Sequence, residues 1–292
     1  MERRPDRTFA PDRQETELTM PNLKLVATMA GLLSALASTA SAQTSVPASS
    51  ADSAELAKKL SNPVADLISV PFQFNYNGGF YEGDGDQYYL NIQPVIPISI
   101  GQNWNLISRT IVPIYSQDGV IPGEGSQFGF GATTQSFFFS PKAPTRAGLI
   151  WGVGPAFLIP TATDHIATNQ WGAGITGVAL VQRHGWTVGG LANHIWSLTG
   201  DAEDGDISAT FLQPFVSYTT PKATSFTLNT ESTYDWENEE WSVPINATVG
   251  QIVKIHRLPV QFTVGARYWA ESPEGGPDDW GARFQVTLLF PK

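Results

Sequence analysis

From Leu67 onward the chain alternates apolar and polar side chains at period two, and nowhere shows the three-to-four-residue recurrence of an amphipathic helix. Val70, Phe72, Phe74 and Tyr76 share one face of an extended stretch, opposite Gln73, Asn75 and Asn77. Val260, Phe262, Val264 and Tyr268 oppose Gln261, Thr263 and Arg267; Phe284, Val286, Leu288 and Phe290 oppose Arg283, Gln285 and Thr287. Twelve such stretches are predicted as strands: 67–77, 87–98, 104–115, 127–140, 147–160, 171–183, 186–198, 207–219, 225–235, 241–254, 258–269 and 280–290. Lengths of about 10–14 residues suit tilted membrane strands, whereas strands in globular proteins run to about 5–6. Apolar-out and polar-in alternation is the pattern of a barrel with lipid outside and water inside.

The connections fall into two classes that alternate along the chain. After the even-numbered strands they are mostly short (GQN, SPKAPTR, HG, TPKA, IHRL) and basic, with Lys142, Arg146, Arg183, Lys222, Lys254 and Arg257 in or beside them. After the odd-numbered strands they are mostly longer and carry no Lys or Arg: GGFYEGDGD, SQDGVIPGEGS, TATDHIATNQ, TGDAEDGD, WENEE and AESPEGGPDD. With the Asp residues at their edges, these hold every acid beyond residue 42 except Asp52, Glu55, Asp66 and Glu231. Charge sorted by connection parity requires an even strand number with both termini on the basic side, and short turns inward with long loops outward is the habit of outer-membrane barrels. Trp104, Trp151 and Trp186 lie toward the basic strand ends. Trp171, Trp196, Trp236, Trp241, Trp269 and Trp280 lie toward the acidic ends, so the tryptophans predict two interfacial girdles. Pro71, Pro94, Pro97, Pro113, Pro155, Pro214 and Pro244 fall inside predicted strands, where each removes a ladder donor, and so predict bulges or interruptions.

Ahead of the strands, residues 20–42 read as a secretory signal: Lys24, an apolar run, then Ala40-Ser41-Ala42 before Gln43. Residues 1–19 are polar and charged, unlike an export leader, and read as a mis-assigned start region ahead of Met20. Residues 43–66 form a polar periplasmic lead in which Ala54–Leu60 makes a short helix, started by Asp52 or Ser53 and stopped by Asn62-Pro63. This lead either plugs the barrel or hangs in the periplasm, and the second is the expectation. The barrel itself spans 67–292. The organisation is thus all-β: a transmembrane antiparallel barrel of about twelve strands, exported to the bacterial outer membrane.

Composition narrows the chemistry. Charged residues are 15% of the chain, against about 25% in typical soluble domains. There is no Cys, which removes disulfides, thiolate metal sites, cysteine nucleophiles and a lipidated N-terminus. A net charge of −10 argues against nucleic acid as a partner. For serine-type lipid hydrolysis a His must reach a hydroxyl. His165 lies in an acidic loop, and His184 and His256 lie in basic turns. His194 is in a strand, but Ser197 points to the opposite face. The acidic runs at 83–86 and 201–206 lack the spacing of a calcium loop and read as solvated, or as sharing ions with lipopolysaccharide. The glycines of GFG at 129–131 precede no helix and form no nucleotide loop. No catalytic residue, metal or cofactor is assigned.

Four charges remain inside strands: Arg109, Glu231, Arg267 and Arg283. An Arg facing lipid at mid-depth costs about 2–4 kcal/mol, so these are expected in the lumen. Alternation agrees for three of them; the face of Arg109 also carries Ile107 and Ile111 and is ambiguous. The expected pore lining is Arg109, Glu231, Arg267 and Arg283 with Gln73, Asn75, Asn229, Gln261 and Gln285. The cluster reads either as a cationic constriction or as a stiffening salt bridge.

Three segments, ELAKKLSNPVADLISVPFQFNYN (55–77), GVGPAFLIPTATD (152–164) and NHIWSLTG (193–200), resemble a family of bacterial outer-membrane transporters of the meta-pathway phenol-degradation type, often mislabelled neuromedin U. The resemblance implies an outer-membrane barrel passing small solutes, aromatic or hydrophobic molecules among them. The alternatives are a structural or adhesive barrel with a closed lumen, and an outer-membrane lipid hydrolase. Partners implied are outer-membrane lipid, lipopolysaccharide and the barrel-assembly machinery, which would read the C-terminal strand; that strand departs from an aromatic ending in that Pro291-Lys292 follow Phe290.

Overall fold

The computed structural model describes residues 50–81, 85–164, 166–167, 169–199, 205–278 and 280–291. The expected signal peptide, start region, the residues up to 49 and His165 lie outside the described residues. One helix, α1 (Ser50–Leu60), precedes the strands, with Asp52 in its first turn and Lys58 and Lys59 in its last, both matched to the helix dipole. The strands are β1 (Ile68–Phe80), β2 (Gly85–Ile92), β3 (Val95–Ser99), β4 (Trp104–Asp118), β5 (Gln127–Phe130), β6 (Thr133–Pro141), β7 (Leu149–Ile159), β8 (Gly172–Arg183), β9 (Trp186–Ser197), β10 (Ser208–Thr219), β11 (Thr224–Thr230), β12 (Ser232–Asp235), β13 (Glu240–Ile255), β14 (Leu258–Glu271) and β15 (Trp280–Phe290). β2 and β3, β5 and β6, and β11 and β12 are halves of single barrel strands, so twelve antiparallel strands enclose the lumen. The last closes on the first, from Ile68 opposite Phe290 to Tyr76 opposite Ala282. Closure leaves no open sheet edge, the condition for extended chain to cross hydrocarbon.

Prolines explain the three interruptions. The gap between β2 and β3 contains Pro94 and faces Pro71, whose carbonyl still accepts from Gln93 N at 2.9 Å. The gap between β5 and β6 faces Pro113, and the register slips there: Phe130 opposes Ile114 but Thr134 opposes Ile111. The gap between β11 and β12 is Glu231 itself, whose N–H donates to the carbonyl of Pro244 at 3.2 Å. Pro97 and Pro214, by contrast, sit in regular register opposite Ile107 and Gly190.

The polarity of the wall is inverted relative to a soluble protein. Val264, Ile175, Phe128 and Leu228 stand exposed on the outside, while Gln73, Asn75, Asn246, Thr263 and Thr287 are buried inside. Lipid is the solvent that makes this pattern stable. Exposed Trp104, Trp186, Trp196, Trp236, Trp241 and Trp280 mark the two ends of the outer surface, many paired with another ring, as Trp186 with Tyr218 (5.0 Å) and Trp280 with Tyr268 (5.1 Å). Trp269 departs from the expected girdle. It follows Arg267 by two residues, faces inward, and lies 5.0 Å from that guanidinium.

The lead does not hang free. α1 and the turn after it close the end of the barrel that carries the short basic turns. Gln182 Nε2 donates to the carbonyl of Lys58 at 2.8 Å, and the hydroxyls of Ser61 and Thr187 lie 2.8 Å apart. Ala57 and Leu67 pack with Ala223, Ile252 and Leu289; Val64 enters a second apolar cluster of Ile107, Phe138, Val178, Leu180 and Leu191. Gly152 makes room for it, since a Cβ there would stand 3.2 Å from the Val64 side chain. The expectation of a free lead fails because the inner wall at this end is apolar and needs a cover.

Candidate functional site

The interruption at Glu231 sends an acid into the lumen. Its carboxylate takes Arg283 through both oxygens, Nη1 to Oε1 at 2.8 Å and Nη2 to Oε2 at 2.7 Å, and Arg267 Nη2 to Oε2 at 3.1 Å. Bidentate geometry of this kind is the strong form of the ion pair. Arg283 Nε also donates to Asn75 Oδ1 at 2.7 Å, and Arg267 Nη1 donates to the Tyr89 hydroxyl. Both arginines are almost fully buried, with side-chain exposure of 4%. Arg109 faces the same space. Its Nη2 donates to Gln93 Oε1 at 3.1 Å, and no carboxylate among the described residues lies within ion-pair distance of it. Among the described residues, three guanidinium groups thus share this part of the lumen with one carboxylate, which pairs with two of them.

Amides extend the polar wall in two belts. Toward the outer mouth Asn77, Gln87, Gln117 and Gln127 hand hydrogen bonds along neighbouring strands at 3.3, 3.0 and 2.7 Å. Deeper, Gln73 joins Gln285, Asn91 and Gln93 at 3.2, 3.4 and 3.2 Å. Below the arginine cluster and above the plug lies a cavity of about 360 Å³, lined by Gln73, Arg109, Asn229, Glu231, Gln261, Arg283 and Gln285. Phe211 and Phe215 on β10 line it from across the lumen, with Gln213 between them, while Val95 and Ile111 line it beside Arg109. A second recess of about 330 Å³ includes Leu158, Asp206, Asp235 and Asn238, from the acidic ends of their strands.

All nine residues expected in the lumen have side chains on the inner face. Seven line the cavity, while Asn75 and Arg267 stand behind it, holding Arg283 and Glu231. The ambiguity of Arg109 resolves inward together with Ile107 and Ile111, because this part of the inner wall is itself apolar. Gln93, Tyr89 and Trp269 were missed, and the plug was the alternative not favoured. Parity from Gln87 would have found Tyr89 and Gln93; nothing local would have found the plug contacts. Across β11, β13 and β14, Asn229, Asn246 and Arg267 sit side by side, and Asn229 Oδ1, Asn246 Oδ1 and Nδ2, and Arg267 Nε have no hydrogen-bond partner among the described residues.

His194 is on the opposite face of the wall. Its Nδ1 lies 2.7 Å from Thr210 Oγ1, which also accepts from Trp236 Nε1 at 2.8 Å, and its ring packs 4.0 Å from that of Trp196. The hydroxyl within reach is therefore Thr210 on the next strand, not Ser197. Shared by a His and a Trp in the outer girdle, it belongs to an interfacial aromatic cluster.

No family model matches the chain, and no curated protein matches it in sequence. Among solved structures it is similar to an outer membrane channel from Pseudomonas putida F1, with TM-score 0.60 and 13% identity over 77% of this chain and 94% of that one. It also matches outer membrane phospholipase A from Escherichia coli, with TM-score 0.44 and 12% identity over 77% of this chain and 98% of that one. The first likeness establishes an outer-membrane barrel fold; the second carries no argument.

Proposed function

We propose that this protein is an outer-membrane channel for small solutes, with an arginine constriction in its outer half and a movable plug at its periplasmic end. The observation that carries this reading is the cavity of about 360 Å³ inside the barrel, polar and charged on one side and bounded below by α1. A structural barrel has no need of an internal space bordered by unmatched guanidinium charge, which is expensive to keep in a low-dielectric wall. The Pseudomonas putida channel of the same fold supports the channel reading, and the resemblance carried by the three segments points to small aromatic or hydrophobic solutes.

The plug is attached by a handful of hydrogen bonds and apolar contacts, an attachment weak enough to release. Because the chain has no Cys, a Ser61→Cys/Thr187→Cys pair introduces the one disulfide it can form, at hydroxyls now 2.8 Å apart. In planar bilayers, reduction of this bridge is expected to raise single-channel conductance severalfold. Equal conductance in oxidised and reduced protein sinks the movable plug, and no conductance in either state, or in the unmodified protein, sinks the channel.

A further inference from the structure

We infer that the lumenal cavity is a binding site for a small amphipathic monoanion, with its carboxylate on Arg109 and its apolar body against Phe211 and Phe215. This deepens, and rests on, the channel reading. Both oxygens of Glu231 are already taken by Arg283 and Arg267. Among the described residues Arg109 donates only to the neutral Gln93, and Glu231, already paired with two other arginines, acts on it only through space, so its charge is the one a visiting anion would match. A guanidinium offers five N–H donors in a planar fork suited to two carboxylate oxygens at once. Lys59, on the plug, lines the same cavity and adds to its positive potential.

The apolar partner is set by topology. Arg109 is on β4, the third barrel strand, and Phe211 and Phe215 are on β10, the eighth, so the two groups approach the cavity from nearly opposite sides. A neutral solute leaves Arg109 unmatched, and a cation is repelled. An acid with no apolar body leaves the phenyl wall uncovered. The volume, about 360 Å³, lies at the lower end of the roughly 300–1,000 Å³ of small-molecule sites, which fits a single ring.

Isothermal titration of the purified full chain in detergent with benzoate, benzamide and acetate tests this. Benzoate is expected to bind at least about 10-fold more tightly than either control. Arg109→Gln is expected to erase that advantage, and Phe215→Ala to weaken benzoate about fivefold while leaving acetate unchanged. Equal affinity for benzoate and benzamide overturns the site, as does unchanged benzoate affinity in folded Arg109→Gln protein. If that variant does not fold, the comparison of the three ligands on the unmodified protein decides alone. Conductance recorded on the same preparation separates the two readings. Selective benzoate binding without conductance supports the site and sinks the channel; conductance without selective binding does the reverse.

Discussion

The inner wall of this barrel has two unlike sides. On β14, β15, β1 and β2, with Glu231 reaching in from between β11 and β12, it is a web of arginine, carboxylate and amide joined by hydrogen bonds. Around β6, β8 and β9 it is Phe138, Val178, Leu180 and Leu191, closed by Val64 of the plug. The charged side is held by directional pairs that fail abruptly when one member is removed. The apolar side is held by non-directional contact that fails gradually and can re-form. The proposed channel would use both: a fixed filter and a part that can let go.

Substitutions that attack the two sides should differ accordingly. Glu231→Ala strands Arg267 and Arg283 as buried unneutralised charges and should cost about 3–5 kcal/mol, read as a shift of the urea midpoint followed by heat-modified gel mobility. Leu180→Ala removes packing from the apolar side. Its expected cost is about 2–3 kcal/mol, low in the range for such truncations because the plug can resettle into the space. A larger loss than for Glu231→Ala would reverse the comparison. Thr187→Ala removes the hydrogen bond to Ser61 of the plug, together with one accepted from Gln182 on the neighbouring strand, and should cost about 1 kcal/mol. Its clearer sign should be a faster rate of proteolysis within residues 50–66, and protection equal to that of the unmodified protein would show that these hydroxyls do not hold the plug.

Much of this is legible in the sequence. Period-two alternation placed the strands, and the parity of acidic and basic connections placed the two ends. The cost of a lipid-facing charge placed Glu231, Arg267 and Arg283 inside. What alternation cannot do is tell inside from outside where both faces are apolar, which is why Arg109, flanked by Ile107 and Ile111, stayed ambiguous until the lumen proved apolar there. Trp269 looked like a girdle residue because it lies at a strand end; its parity with Arg267 was the better guide. The plug was only half legible: its short helix and the alternative of a plug follow from the sequence, but the contacts that decide between the alternatives do not. Its helix is short and polar in pattern, and Val64 and Ser61 acquire meaning only opposite Gly152 and Thr187, far away in sequence.

The arginine cluster as a filter is the central claim, and the reversal potential across a potassium chloride gradient tests it most directly. The unmodified protein is expected to prefer chloride, because three guanidinium groups face one carboxylate in the lumen, and Arg267→Glu should abolish or invert that preference. An identical reversal potential in the two proteins, both conducting, would contradict the account.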